Sequence, residues 1–394
     1  MQKQIQDDIY WWNNKTFCVM PWISILGRQN GNYSLCCVDS LTESSGLLGN
    51  IQDTKFEKLW NSDMLKAIRV NMLAWKKLEN CKKCYFQEEA KKESLRQRYL
   101  LEYAIILKDI FRYTWQDWYY NQKPQRLELM FSNLCNFSCK MCSSISSFRT
   151  LEQQIEGDKY NLLQWFWQPS KLQENLEYLL PSLKYIHVSW WEPFIDRDFL
   201  SFLQYIKDSW YIKSIFFSCN TNLSFILPYD TIKLFLSHMI SVSCDGFWEI
   251  YNYIREWWNW SQLKNNLKML RKKGINFELS VTLQADNILN YPLLWIFAKN
   301  NDYKIMYNFL MFPESYNVLY ISNSFKEHIN KIYLVYLEKY NWRLRNELRE
   351  ELHEILRYIS LWKPKMTNYQ ERTNIYHRLY KKIHPDGIEV FYKW

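Results

Sequence analysis

The chain has 394 residues, with 50 Lys plus Arg against 41 Asp plus Glu for a formal charge of +9, and it is 48% hydrophobic and 18% aromatic. That composition excludes a disordered chain and suffices for the cores of two ordinary domains. No run of about 18 consecutive apolar residues is available to cross a bilayer, and Met1 to Asp8 lack a basic region followed by an apolar one, so a cytoplasmic location without a membrane partner is expected. The positive surplus is spread without a block of like charge, a weak footprint for nucleic acid, so a peptide or small-molecule substrate is the better expectation.

In chain order, the first 120 residues are irregular and cysteine-bearing, with helical periodicity around Lys55 to Trp75 and Gln87 to Phe111. From Arg126 the order becomes regular. Apolar runs of strand length recur at Leu127 to Leu134, Tyr185 to Ser189, Ser214 to Cys219, Met239 to Cys244, Phe277 to Leu283 and Tyr303 to Met311, with helical stretches between them. Strands alternating with helices predict an α/β fold with a parallel sheet, here a partial (β/α)6 TIM-type barrel preceded by a small irregular cysteine-ligated domain. Domains are expected at 1–120, 121–320 and 321–394, the last a helical extension that closes the barrel's open side or packs outside it. Cys219 and Cys244 fall in apolar strands and read as core thiols, and His187 and His238 as structural histidines.

One ratio is abnormal: 20 Trp against 8 Gly. Average usage would give roughly 28 Gly and roughly 4 Trp, so the deficit of one nearly matches the surplus of the other. A Trp-rich protein, chance, and UGA codons decoded as glycine by the source cell but written as tryptophan are the three explanations, and position discriminates among them. In Leu270 to Ser280 a basic helix end meets Gly274 and then a strand; in Tyr205 to Phe217 the same slot holds Trp210. Recoding is therefore expected, with Trp248, Trp257 and Trp258 read as glycines and Trp22 and Trp60 as real tryptophans.

Ten cysteines remain. Without a secretory signal, metal ligation is favoured over disulfides. Cys135, Cys139 and Cys142 form C-x3-C-x2-C, Cys81 and Cys84 form C-x2-C, Cys36 and Cys37 are adjacent, and Cys18 stands alone. Three thiolates on one loop leave a zinc shell incomplete, but they can hold three irons of a cubane cluster and leave the fourth open for chemistry.

The segment Ser132-Asn-Leu-Cys135-Asn-Phe-Ser-Cys139-Lys-Met-Cys142, following a strand, resembles the cluster loop of radical S-adenosylmethionine enzymes. The resemblance implies that Cys135, Cys139 and Cys142 hold a catalytic four-iron four-sulfur cluster whose unique iron binds S-adenosylmethionine, which reduction cleaves to a 5′-deoxyadenosyl radical. It aligns Trp190-Trp191-Glu192-Pro193 with a Gly-Gly-Glu-Pro motif that binds the methionine amino group. Backbone must approach the cofactor closely there, so the match supports recoding at Trp190 and Trp191. The resemblance further implies ribose and carboxylate contacts from Asn220, Asn222, Ser243 and Asp245, a bidentate carboxylate contact from Arg255, and Met141 against the adenine.

Cys18-Val-Met-Pro-Trp22, Gly31 before Cys36, and Cys81-x-x-Cys84 resemble the twitch domain, the shortened relative of the SPASM domain. This implies an auxiliary [4Fe-4S] cluster on Cys18, Cys36, Cys81 and Cys84, with Cys37 as an alternative to Cys36, placed before the barrel and followed by a helical linker. A zinc knot on the same thiolates is the rival from ligand type. The whole reading is an enzyme that generates a radical for hydrogen abstraction, with a peptide as the extrapolated substrate and a donor such as flavodoxin or ferredoxin as reductant. The alternatives are a radical enzyme for a nucleoside, sugar or tRNA, and a non-catalytic metal-binding protein of the same fold.

Overall fold

Among the described residues ten strands form: β1 (Ser24–Gly27), β2 (Tyr33–Ser34), β3 (Arg126–Leu129), β4 (Ser138–Cys139), β5 (Tyr185–Val188), β6 (Phe216–Thr221), β7 (Ser237–Ser243), β8 (Arg255–Glu256), β9 (Phe277–Leu283) and β10 (Lys304–Phe309). All six expected apolar runs are among them, as β3, β5, β6, β7, β9 and β10. The computed structural model describes residues 14–39, 48–89, 91–114, 119–142, 147, 169–189, 191–311, 313–339 and 342–360. The chain divides into two compact units, one of residues up to Leu134 with 161–221 and 225–239, the other of 135–160, 222–224 and 240 onward.

In the first unit β6, β5, β3, β1 and β2 lie in that order. The β6–β5, β5–β3 and β3–β1 pairs are parallel and β1–β2 antiparallel. Side chains alternate across a strand: Leu127, Leu129, Ile186, Val188, Phe217 and Cys219 are buried on one face, where Phe217 stacks on Phe235 at 4.8 Å. The other face of β3 is buried too, but polar. Arg126 and Glu128 pair at 3.2 Å, and the guanidinium lies 3.8 Å from the centre of the Tyr185 ring. Because β1 pairs with β3, the cysteine-bearing segment and β3 share this unit, which runs through residue 120.

Helical periodicity also breaks where capping residues dictate. The Lys55–Trp75 stretch divides into Phe56–Trp60 and Asp63–Leu73, because the Ser62 side chain accepts from Leu65 N and starts a new helix. Ser94 and Gln97 form a capping box that opens Leu95–Glu102.

In the second unit β7, β9 and β10 are joined in parallel register. Trp260 packs edge-on to Phe247 and Phe297. The C-terminal region supplies helices Asn323–Lys339 and Trp342–Ser360. The second is tied down by Tyr358 stacked on Phe309 of β10 at 3.7 Å and by Tyr291 Oη donating to Glu351 at 2.6 Å.

Backbone angles bear on the tryptophans. Of six described non-glycine residues with positive φ, three are Trp75, Trp248 and Trp257, at +60°, +57° and +81°. After Asp63–Leu73, Trp75 N bonds Met72 O and Lys76 N bonds Asn71 O. Gly274 N to Arg271 O and Ile275 N to Leu270 O repeat this pattern after Trp260–Lys272, with φ +66° at Gly274. Trp75 thus occupies the glycine slot of a Schellman cap. Lys91 and Asp302 show that other side chains take this slot, so Trp248 is the sharper case: φ +57° with ψ −120° is a backbone region that glycine dominates. Trp210, the position compared with Gly274 on sequence, is different. Ser209 ends the preceding helix in extended backbone, and Trp210 opens a 3-10 turn, 97% exposed, outside the positive-φ set. Trp258 is also outside that set and packs on Phe137. Trp22 and Trp60 are fully buried, and Trp60 Nε1 donates to Gln122 O at 2.6 Å.

Candidate iron–sulfur sites

The three-cysteine loop begins the second unit. β4, which contains Cys139, pairs antiparallel with β8, which contains Arg255. Lys140 N also bonds Ile254 O at 2.9 Å, so the loop is fastened to the end of helix Glu249–Ile254. That helix approaches closely because residue 246 is glycine: a Cβ there would stand 2.7 Å from Ile250 Cγ2 and 2.9 Å from Tyr251 N. Phe137, Cys139, Met141, Ile250 and Ile254 form a buried cluster, with Cys135 and Cys142 packed against it. Met141 is therefore a packing residue of the loop.

Charge is arranged around these thiols. Arg255, buried, bonds Asp245 at 2.5 Å and points Nη1 at Cys139 Sγ, 3.8 Å away. Burial opposes its charge, but Asp245 and Cys139 outweigh that and keep the guanidinium protonated. Cys139 is held below the ordinary thiol range by the Cys142 hydrogen bond, with Arg255 adding to the effect; Cys142 is raised by the same bond and by burial, with both other loop cysteines opposing its ionisation. Asn222 Nδ2 lies 3.8 Å from Cys135 Sγ and donates to Asn136 Oδ1 at 2.9 Å, and Ser224 closes the network through Asn222 Oδ1 at 2.6 Å. Asp245 is committed on every side: Thr282 N donates to Oδ1 at 2.6 Å and Asn287 Nδ2 to its carbonyl at 3.1 Å. Ser243 ends β7 opposite Ser280.

In the first unit, Glu192 is buried and accepts from Thr221 Oγ1 at 2.8 and 3.0 Å. Pro193 starts the turn Pro193–Ile195. Asn220 is half-buried near the end of β6. Trp190 lies outside the described residues. Trp191 is buried against Phe131 at 5.9 Å with Nε1 lacking a hydrogen-bond partner. Trp22 lacks one too, so the unpaired indole N–H does not separate the two kinds of tryptophan; the backbone does. Asn136, Thr221 and Tyr251 carry part of this chemistry without having been singled out on sequence. Thr221 lies between Asn220 and Asn222, whereas Tyr251, whose hydroxyl is buried, gave no spacing signal.

The N-terminal thiols also converge. Burial raises Cys36 first, then Cys37, Cys18, Cys84 and Cys81 oppose its ionisation in turn. Burial first pushes Cys37 up to about 12, with Glu128 adding to the rise and Arg28, Lys83 and Arg126 opposing it. Burial lifts Cys81 to about 12 and Cys84 in the same direction. Arg28 fastens the Cys36 loop by donating to the carbonyls of Cys36 at 3.1 Å and Asp39 at 2.9 Å. Among the described residues no three His, Cys, Asp or Glu side chains are set closely enough to enclose a single metal ion. Thiolates are the ligand type that suits a soft iron–sulfur cluster.

Residues 18–85 match the family model described as SPASM, an iron-sulfur cluster-binding domain, and that span contains all four of these thiols. No curated protein matches the chain significantly. Solved structures similar to it include native anSMEcpe with bound AdoMet, at 16% identity over 50% of this chain and 54% of that one, TM-score 0.37. Another is Streptococcus suis SuiB bound to precursor peptide SuiA, at 11% identity over 74% and 66%, TM-score 0.39. The match thus spans about half the length of the first. Residues 18 to 85 are thus similar to a SPASM-type iron–sulfur cluster-binding domain.

Proposed function

We propose that the protein is a radical S-adenosylmethionine enzyme that generates a substrate radical by hydrogen abstraction. The observation that carries the reading is the Cys135–Cys142 loop, with Arg255 on Cys139 and Asn222 on Cys135. Three thiols leave one iron of a cubane open. With cluster and S-adenosylmethionine bound, the site would supply one-electron cleavage to the 5′-deoxyadenosyl radical. The chain's own part is to hold the loop on Ile254, keep a cation beside Cys139, and exclude water through Phe137, Met141 and Ile250. The SPASM-type domain supports a second, auxiliary cluster. It also favours a peptide over a nucleoside, sugar or tRNA as substrate, since the family resemblance associates that domain with peptide modification.

The reading includes glycine at positions 190, 191, 248 and 257 of the native protein, and it is supported by the Glu192-Pro193 context and by the backbone at 248 and 257. Anaerobic reconstitution of the glycine-restored chain with iron and sulfide, followed by reduction and assay for 5′-deoxyadenosine, tests it. Product is expected, and is expected to vanish when Cys135, Cys139 and Cys142 become alanine. No product from a chain with a loaded cluster overturns the activity and favours a non-catalytic metal-binding role.

A further inference from the structure

Arg255 and Asn222, which the family resemblance implies as contacts of S-adenosylmethionine, both reach sulfur within the second unit. Arg255 is buried, and its Nη1 donates to Cys139 Sγ at 3.8 Å. Its Nη2 donates to Asp245 Oδ2 at 2.5 Å, and Thr282 N holds the other oxygen of that carboxylate at 2.6 Å. Backbone fixes the approach, because Arg255 of β8 and Cys139 of β4 are register partners. Asn222, also buried, places Nδ2 3.8 Å from Cys135 Sγ and 2.9 Å from Asn136 Oδ1, while its Oδ1 accepts from Ser224 N and Oγ. The sulfurs of Cys139 and Cys135 thus each receive a nitrogen donor, one charged and one neutral.

Gripping a cofactor carboxylate with both terminal nitrogens would break the buried Arg255–Asp245 pair, a costly exchange. Left as it stands, the pair aims a cation at a cluster ligand. Cluster potentials respond to hydrogen bonds on sulfur, a charge in a water-poor surrounding acts with little screening, and a charged donor outweighs a neutral one. We propose that Arg255, oriented by Asp245, and Asn222 are positioning residues that act through Cys139 and Cys135 to raise the reduction potential of the catalytic cluster. They do so by stabilising its reduced form, which carries one more negative charge, so that an external one-electron donor loads it more readily. This rests on the Cys135–Cys142 cluster of the proposed function.

The test is a potentiometric titration with dithionite and mediators, followed by electron paramagnetic resonance, in reconstituted full-length protein before S-adenosylmethionine is added. The catalytic cluster is the signal that disappears when Cys135, Cys139 and Cys142 become alanine. Arg255→Gln is expected to lower its reduced-to-oxidised ratio at a fixed potential at least tenfold, a 59 mV fall for one electron. Asp245→Asn, which leaves the guanidinium charge uncompensated, is expected to raise the ratio, and Asn222→Ala to lower it by less than Arg255→Gln does. Loss of packing alone would not reverse sign between Arg255→Gln and Asp245→Asn. No fall in Arg255→Gln, or no rise in Asp245→Asn, each with iron and sulfide retained, overturns the proposal. An unchanged potential in Arg255→Gln together with lost S-adenosylmethionine binding assigns the guanidinium to the cofactor instead. If neither variant retains the cluster, Asn222→Ala decides alone, and no fall overturns the proposal. A parent without a signal that depends on the three cysteines overturns the proposed function itself and is recognised before any variant is made.

Discussion

Trp248 holds a backbone conformation that a Cβ makes costly, whereas Trp210, nearly all in solvent, does not. Trp248→Gly should therefore stabilise the fold by about 1–3 kcal/mol. Trp210→Gly, with no positive φ to relieve, should give no gain, and comparing urea midpoints of the two variants checks this. His187 provides a second measurement at this scale. Burial first, and then Arg126, lower it from 6.5 to about 4, while Glu128 pulls the other way; its Nδ1 lies 2.6 Å from Ser218 Oγ. The unfolded chain then binds a proton that the folded chain refuses between those values, so stability rises with pH from about 4 to 6.5 and is level above. The depressed folded pKa corresponds to about 3 kcal/mol across that window. Stability of His187→Asn, followed by denaturation between these pH values, should lose that slope.

At the scale of elements, the last helix is an example of packing that sequence period announced without naming its partner. Asn323 to Leu361 carries a charged and apolar period, and the structure resolves it into two helices, the second set against β10 and helix Tyr291–Asn300. Leu352 is fully buried and Leu334 half in solvent. Leu352→Ala should cost about 2–5 kcal/mol and Leu334→Ala within about 0.5 kcal/mol, read from denaturant midpoints. The cluster loop is likewise an element whose sequence was plain but whose supports were not. Spacing identifies Cys135, Cys139 and Cys142, since three thiolates within eight residues have little other use. The bond from Lys140 to Ile254 joins segments more than a hundred residues apart, and no local pattern encodes it.

For the whole molecule, the proposed function predicts two clusters, one on each cysteine set. Reconstituted protein should bind iron in two comparable portions. Alanine at Cys135, Cys139 and Cys142 should remove about half of it, and alanine at Cys18, Cys36, Cys81 and Cys84 the other portion; iron and sulfide analysis with Mössbauer spectroscopy checks both. Among the described residues no helix is long and apolar enough to cross a membrane.

The α/β class and the six strands from residue 126 onward were legible in the chain, because alternation of apolar residues is a local property, and the cysteine spacing on which the proposed function rests is local too. The pairing of β1 with β3, the placing of Arg255 on Cys139 and the positive φ at Trp75 were decided only by tertiary structure. Each depends on which side of a turn or strand faces a distant segment, and that direction follows from packing.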